Sequence, residues 1–181
     1  HIQNTVINQS DAPRQVTVKV TLMDPHSKNV GTIESAPQTI PAGDIATFNQ
    51  DLAVTPQLWD LDHPNMYRAV CEVRSGGKTL DDDATPFGIR DAEFKAATGF
   101  WLNGKNIKIK GVALHGDMGG LGVAVPLAAW EHRLAELKLL GANAIRTAHN
   151  PQSPAFLDLC DRMGFLVMDE MFDCWTVAKN P

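Results

Sequence analysis

The sequence predicts a chain of two parts, a β-sandwich followed by an α/β part with a parallel sheet. Residues 1–90 contain about seven short stretches of alternating apolar and polar residues, the pattern of antiparallel strands with one buried face. From residue 110 onward, three short apolar runs alternate with two helical patterns, which is typical of βαβ units. We expect the division between domains 1–91 and 92–181.

The composition is that of an ordinary globular protein. Of 181 residues, 44% are apolar and 20% are charged. The net charge of −5 argues against a nucleic-acid partner. No apolar run reaches the ~18–20 residues that a membrane helix needs, so we expect no membrane partner. His1 does not look like a natural start, so the sequence leaves localisation undetermined.

The three cysteines, Cys71, Cys160 and Cys174, are widely spaced and form no CxxC pair. This spacing argues against both a disulfide framework and a zinc cluster. We predict buried free thiols.

The first part begins with a clear strand signal. In Arg14–Leu22 the residues from Val16 to Leu22 alternate apolar and polar, with the apolar ones on one face. Further candidate strands are Ile2–Asn8, Val30–Ser35, Ile45–Leu52, Met66–Arg74 and Lys78–Ile89. Gly, Pro and Asp clusters mark the turns between them. The spacing suggests an immunoglobulin-like sandwich that lacks the Cys…Trp…Cys pattern of antibody domains.

Two stretches of the first part need separate interpretations. Leu58–Tyr67 interrupts the alternation, and we predict a packed crossover loop with Trp59 and Tyr67 buried; carbohydrate stacking on Trp59 is the alternative. Asp81–Asp83 lacks the glycine and terminal glutamate of an EF-hand calcium loop. A solvated acidic turn is therefore predicted there.

The second part opens with a hairpin, Trp101–Lys110, turned by Asn103-Gly104. We expect its second arm to run directly into a strand ending at His115. The remaining elements follow from apolar periodicity and from Ser, Pro and Gly at the helix ends. They are a helix Pro126–Leu140, a strand Asn143–Ala148, a helix opened by Ser153-Pro154 and closed by Gly164, and a strand Phe165–Met168.

Polar side chains follow all three strands of the predicted parallel sheet. Ligands bind at the carboxyl ends of such strands, so these side chains are expected on one rim. Ala113, His115 and Asp117 should point to one side, with Val112 and Leu114 facing the helices. The rim residues are His115, Asp117, Arg146, His149, Asn150, Asp169 and Glu170.

Several alternatives remain open at the rim. Arg146 could simply pair with Glu170 or Asp169 to join neighbouring strands, and Asp169 could cap a turn. A metal could use His115, Asp117, His149 and Glu170, although no HxH or HExxH spacing supports this, and we predict no metal. No Gly-rich phosphate fingerprint opens a helix, which counts against nucleotides, and no cofactor is expected.

The motifs together resemble glycoside hydrolase family 2, and most closely its β-galactosidase-like enzymes. The stretches that carry the resemblance are Leu58–Tyr67, Phe87–Arg90, Asn103–Lys105, Lys110–Asp117, Asn143–Pro151, Leu159–Glu170 and Phe172–Trp175. The resemblance implies a multidomain exo-glycosidase with a jelly-roll domain, an immunoglobulin-like domain and a (β/α)₈ TIM barrel. This chain would supply the sandwich followed by a truncated TIM barrel of about three βα units.

The resemblance also implies roles for the rim. Substrate contacts are assigned to His115, Asp117, His149 and Asn150. Arg146 would steady the nucleophilic carboxylate, supported by Asp169 and Glu170. Two departures from the family pattern are Gly116, in place of a bulkier residue, and Ala148, in place of serine.

The bond-breaking residues are expected outside this sequence. Retaining glycosidases use two carboxylates about 5–5.5 Å apart. Asp169 and Glu170 are adjacent on one strand, so their side chains should diverge and cannot form that pair. We therefore expect a piece of a retaining exo-glycosidase, most simply a β-galactosidase, that is inactive alone and able to self-associate through its open sheet edge. β-Glucuronidase, β-mannosidase and a non-catalytic carbohydrate-binding module are the alternatives.

Overall fold

A computed structural model describes residues 1–172 of the chain. These residues form two compact units, one made of residues 1–57 and 66–89, the other of residues 58–65 and of residues from 90 onward. The division between residues 91 and 92 stays a prediction, and the structure adds that a short earlier segment packs with the second unit. Cys174 and most of the motif Phe172–Trp175 lie outside the described residues.

The first unit is a β-sandwich, as predicted. Its main sheet has the order β3-β2-β6-β7, β4 pairs with the first residues of β2, and β1 pairs with β5 in a second sheet. Alternate residues of β2, from Val16 to Leu22, are buried between the sheets with Ile40 and Phe48. The strands are β1 Ile2–Ile7, β2 Arg14–Met23, β3 Asn29–Glu34, β4 Gln38–Ile40, β5 Ile45–Gln50, β6 Met66–Ser75 and β7 Lys78–Gly88.

The acidic stretch Asp81–Asp83 is not a turn, so that prediction was wrong. It lies inside β7, exposed to solvent and paired with Cys71–Val73 of β6. Tyr67 is buried in this unit, and its hydroxyl accepts a hydrogen bond from the Gln57 N–H at 2.8 Å.

The second unit contains two three-stranded sheets and two helices. An antiparallel sheet has the order β10-β9-β8, and a parallel sheet has the order β11-β12-β13. This strand–helix–strand–helix–strand arrangement is the start of a TIM barrel, as predicted. The elements are β8 Ala92–Lys95, β9 Gly99–Leu102, β10 Lys105–Asn106, β11 Gly111–Leu114, α1 Leu127–Leu139, β12 Ala144–Thr147, α2 Pro154–Met163 and β13 Leu166–Asp169.

Both helices pack on one face of the parallel sheet. Trp130 and Leu134 of α1 meet Phe156 and Leu159 of α2 over Ile145 of β12, and all five side chains are buried. The ends of α2 match the sequence signals: Ser153 accepts a hydrogen bond from the Phe156 N–H at 3.3 Å, and Gly164 closes the helix at φ 71°. Neither helix within residues 1–172 is long and apolar enough to cross a membrane.

The hairpin of the second unit differs from the expectation. Asn103 and Gly104 form the turn, but β10 ends at Asn106 and β11 begins at Gly111 in a different sheet. The Asn143 side chain explains the break, because it donates to the Lys108 carbonyl at 3.0 Å and accepts from the Lys110 N–H at 2.7 Å. These bonds hold residues 108–110 beside Asn143, so the chain leaves the hairpin and pairs with β12.

Trp59 anchors residues 58–65 to this unit. Its side chain is 2% exposed, and its indole N–H donates to the Asp161 carbonyl at 2.8 Å near the end of α2. Asn103 donates to the Trp59 carbonyl at 3.0 Å, and the Arg90 guanidinium lies 4.8 Å from the ring centre. The predicted buried anchor is confirmed, and the carbohydrate-stacking alternative was wrong because no ring face is open.

Lys138 fixes the same segment from α1. Its ammonium donates to the Leu61 carbonyl at 2.8 Å and to the Gly164 carbonyl at 2.7 Å, and it lies 4.8 Å from the centre of the Phe165 ring. A Cβ on Gly164 would collide with the Leu61 carbonyl, so only glycine allows this close approach.

The described cysteines are free thiols. Cys160 is fully buried, and that burial, with a smaller effect of Asp161, raises the pKa of its thiol to about 12. The prediction of a buried thiol is confirmed for Cys160. Cys71 is only half-buried, and desolvation raises the pKa of its thiol as well.

Candidate active site

The three parallel strands end in one row. Leu114 lies beside Thr147, and Thr147 beside Asp169, so the residues that follow each strand emerge at the same rim. Val112 and Leu114 pack toward the helices, as predicted, while Ala113 shares the other face with Arg146 and Met168. The parity of the strands therefore sets which side chains reach the open side of the sheet.

Glu170 joins two of the predicted site residues. One carboxylate oxygen accepts a hydrogen bond from Arg146 Nε, and the other lies 2.9 Å from His149 Nδ1. The backbone N–H of Glu170 donates to Thr147 Oγ1 at 2.8 Å, which fixes the start of the side chain. A single carboxylate thus holds a guanidinium and an imidazole in place at the ends of β12 and β13.

These contacts act on the charge of Glu170. The hydrogen bond from His149 holds the pKa of the Glu170 carboxyl below its ordinary value, and Arg146 adds to the effect by hydrogen bonding and by charge. A carboxylate can only accept hydrogen bonds, so His149 must donate from Nδ1. Nε2 is then the ring nitrogen of His149 that Glu170 leaves for a bound ligand.

Asp169 points away from Glu170, as expected for neighbouring residues of a strand. Its carboxylate accepts a hydrogen bond from Thr147 Oγ1 at 2.8 Å. Thr147 is fully buried and contacts both residues, since its hydroxyl also accepts from the Glu170 N–H. The sequence reasoning missed Thr147, because a threonine in a strand carries no functional signal by itself.

His115 completes the group. Its ring lies edge to face against that of His149, with 5.4 Å between centroids and 87° between planes. The structure therefore brings together four of the predicted residues: His115, Arg146, His149 and Glu170. Asp117 and Asn150 are exposed and make no side-chain hydrogen bond within residues 1–172, so their roles stay predictions.

Gln152 is a second residue that the sequence reasoning missed. Its side chain lies against the backbone of Gly116, between His115 and Asp117. Its place just ahead of the Ser153 cap was the available signal, because residues before a helix start commonly line the mouth of an α/β site. Ala148, the other departure from the family pattern, is buried, and its N–H donates to the Leu114 carbonyl at 2.8 Å.

Below the rim, the face of the sheet opposite the helices is open. A cavity of about 470 Å³ lies there, lined by Ala113, Arg146 and Met168 of the parallel sheet and by Phe94 and Phe100 of the antiparallel sheet. Among the described residues, no group of three or more His, Cys, Asp or Glu side chains is arranged to hold a metal ion. The rim offers one cation, two imidazoles and hydrogen-bonded carboxylates, a set suited to orienting polar hydroxyl groups.

Two family models match the chain in the order that its two parts predict. Residues 1–90 match glycosyl hydrolases family 2, and residues 94–178 match the TIM barrel domain of the same family. The β-galactosidase BoGH2A of Bacteroides ovatus is 44% identical over 181 residues, which is 99% of this chain and 21% of that protein.

Solved structures of related proteins share the fold of this chain. A glycosyl hydrolase family 2 member from Bacteroides cellulosilyticus has a TM-score of 0.92 at 34% identity, covering 99% of this chain and 23% of that one. The β-glucuronidase of Bacteroides uniformis has a TM-score of 0.89 at 28% identity, and the match covers 99% of this chain and 22% of that one. The chain thus spans about a fifth of the length of these relatives. By its motifs, its fold and these matches, the chain belongs to glycosyl hydrolases family 2.

Proposed function

We propose that the protein containing this chain is a retaining exo-glycosidase that hydrolyses terminal β-linked sugars, with β-galactosides as the main substrates. The observation that carries the proposal is the Glu170 carboxylate, which holds Arg146 and His149 at the ends of parallel strands in a chain of this family. The β-galactosidase of Bacteroides ovatus, 44% identical along nearly the whole chain, supports the choice of sugar.

The rim would bind and orient the sugar. His115 and His149 stand side by side, and Nε2 of His149, the ring nitrogen that does not face Glu170, would form a hydrogen bond with a sugar hydroxyl. Asp117 and Asn150, both exposed beside them, contribute further hydrogen bonds. Together these groups fix the orientation of the sugar ring, on which the rate of the reaction depends.

Arg146 would act on the reacting carboxylate. The nucleophile attacks the anomeric carbon while a second carboxylic acid protonates the departing oxygen, and water later releases the sugar from the covalent intermediate. A guanidinium beside the nucleophile lowers the pKa of its carboxyl group and keeps it ionised. Asp169 and Glu170 are engaged with Thr147, Arg146 and His149, so in this proposal both reacting carboxylates come from other residues of the protein.

A second sugar class has a specific observation in its favour. The β-glucuronidase of Bacteroides uniformis shares this part of the fold at a TM-score of 0.89. A glucuronidase must also neutralise the carboxylate of its substrate, usually with an additional cation. Rates of the full-length protein on nitrophenyl β-galactoside, β-glucuronide and β-mannoside distinguish these sugars, and binding without hydrolysis would instead support a carbohydrate-binding module.

The 181 residues alone are expected to produce no turnover, because the proposed reacting carboxylates are missing from them. The measurement is release of nitrophenol from a nitrophenyl β-galactoside by the purified chain, beside the full-length protein at equal molar concentration. Activity that copurifies with the chain and persists through a second purification step would overturn the assignment of those carboxylates to other residues.

The chain on its own is also expected to self-associate. Within residues 1–172 the parallel sheet has unpaired edges at β11 and β13, and the adjoining apolar face leaves Phe94 80% and Met168 68% exposed. Light scattering should give a mass above 19.7 kDa that rises with concentration. Replacing Met168 with lysine should reduce the association, whereas a strictly monomeric parent chain would contradict this expectation.

A further inference from the structure

Gln152 and Gly116 share one small space on the rim. A Cβ atom built on Gly116 would lie 3.0 Å from Gln152 Nε2, 3.5 Å from Oε1 and 3.7 Å from Cδ. The amide of Gln152 therefore lies where a side chain on Gly116 would begin, and the chain neighbours of Gly116 are His115 and Asp117. A larger residue at position 116 would have to displace this amide.

The position of Gln152 is set by the start of α2. Ser153 caps that helix and Pro154 opens it, so the backbone around residue 152 is fixed by local structure. The Gln152 N–H also points toward Asp169 Oδ1, at the long distance of 3.4 Å. The side chain consequently leaves a well-defined point and reaches the rim without depending on a mobile backbone.

The Gln152 amide has hydrogen-bonding capacity to spare. Its oxygen can accept and its nitrogen can donate two hydrogen bonds, yet neither atom bonds a partner within the described part of the chain. The residue is half-buried, so part of its side chain is sheltered while the amide stays accessible. An unused donor–acceptor pair next to Gly116, which stands between two of the predicted sugar-binding residues in the chain, suits a polyhydroxylated ligand.

We propose that Gln152 is a specificity-determining residue that hydrogen-bonds a hydroxyl of the sugar, and that Gly116 provides the space for it. This inference rests on the proposed function, because it concerns the same site. A side chain at position 116 would crowd the Gln152 amide and force it to shift from this position.

The geometry can be tested on the 181-residue chain without any substrate. Gly116→Ala is compared with Gly119→Ala, since a Cβ on Gly119 meets no atom within 4 Å. In ¹H–¹⁵N spectra, the side-chain NH₂ signals of Gln152, assigned by their loss in Gln152→Ala, should shift in Gly116→Ala and stay unchanged in Gly119→Ala. If the Gln152 signals are the same in the two alanine variants, Gln152 and Gly116 do not share one space.

The role in recognition is tested in the full-length protein. Gln152→Ala should lower kcat/KM for nitrophenyl β-galactoside by about 3–10-fold, the range for one neutral hydrogen bond. Gly116→Ala, which shifts the amide, should lower kcat/KM by no more than Gln152→Ala does, the double variant should lose no more than Gln152→Ala alone, and Gly119→Ala should lose nothing. Additive losses, or no loss in Gln152→Ala, would overturn the inference.

Monodeoxy galactosides identify the hydroxyl. The substrate that lacks the contacted hydroxyl should be hydrolysed equally by the parent and by Gln152→Ala, whereas the other deoxy sugars should keep the 3–10-fold difference. If every deoxy sugar keeps the difference, Gln152 contacts no hydroxyl and the inference fails while the proposed glycosidase stands. If the full-length protein hydrolyses no β-glycoside, the proposed function and the role of Gln152 both fail. The spectra still show separately whether Gln152 and Gly116 share one space.

Discussion

Replacing Trp59 with alanine is expected to lower the free energy of unfolding by about 3–5 kcal/mol, the usual cost of truncating a buried tryptophan. The ring is 2% exposed, and its loss would leave a cavity and remove one of the two hydrogen bonds that the Asp161 carbonyl accepts near the end of α2. Urea denaturation followed by far-UV circular dichroism measures the change. The transition that belongs to the second unit should move to lower urea.

Trp101→Ala is the matched control. Trp101 is half-buried on β9, and its indole N–H bonds only the Thr98 hydroxyl at 2.8 Å in an exposed setting. Its replacement should therefore cost clearly less than that of Trp59. Similar losses in the two variants would contradict the view that the buried Trp59 side chain is a main anchor of residues 58–65.

The Glu170→Ala variant of the full-length protein is expected to lose about 10²-fold in kcat/KM on its glycoside substrate, a loss comparable to that caused by about 1 Å of misplacement in a reacting group. Without the carboxylate, both Arg146 and His149 lose the partner that orients them. The kcat/KM of Glu170→Gln should lie between that of Glu170→Ala and that of the parent, because a glutamine has one accepting oxygen in place of two.

Glu131→Ala on the exposed side of α1 is the matched control, since it removes the same side chain at a position that is not one of the rim residues. It should retain the parental kcat/KM. An activity of Glu170→Ala within twofold of the parent would show that Arg146 and His149 are oriented by other groups.

The same carboxylate has a pH dependence that can be followed in the 181-residue chain. The His149 and Arg146 contacts lower the pKa of Glu170, so their stabilisation is present above the ordinary glutamate value of about 4.3 and is lost as the pH falls through the lower folded value. The ¹³C signal of the Glu170 carboxyl should therefore titrate below 4.3. In His149→Ala the midpoint should rise; an unchanged midpoint would contradict the role of His149.

The rim could be predicted from the sequence because it depends on local pattern. Strand ends, helix caps and side-chain parity placed His115, Arg146 and Glu170 on one edge of the sheet, and the structure brings them together. The choice of partner for Arg146 could not be predicted. It depends on register, which sets Arg146 opposite Met168 and leaves Glu170 two residues further along, within reach of the guanidinium.

Features that depend on distant residues were the ones missed. The early end of the hairpin depends on Asn143, more than 30 residues after the bend that it holds. The burial of Trp59 was predicted from its surroundings in sequence, but its partner Asp161 lies 102 residues away and left no sign in the pattern. Gln152 was overlooked because its meaning depends on the missing side chain of Gly116.

The affiliation of residues 58–65 with the second unit has a consequence for recombination between relatives. A chimera that exchanges the α/β half at residue 90 would keep the host's own version of Trp59 and Leu61 while replacing Asp161, Lys138 and Gly164. In such a hybrid, residues 58–65 from one protein would have to pack against contact residues from another. Exchanges that carry the eight-residue stretch along with the half it packs against should yield folded hybrids more often than those cut at a single point.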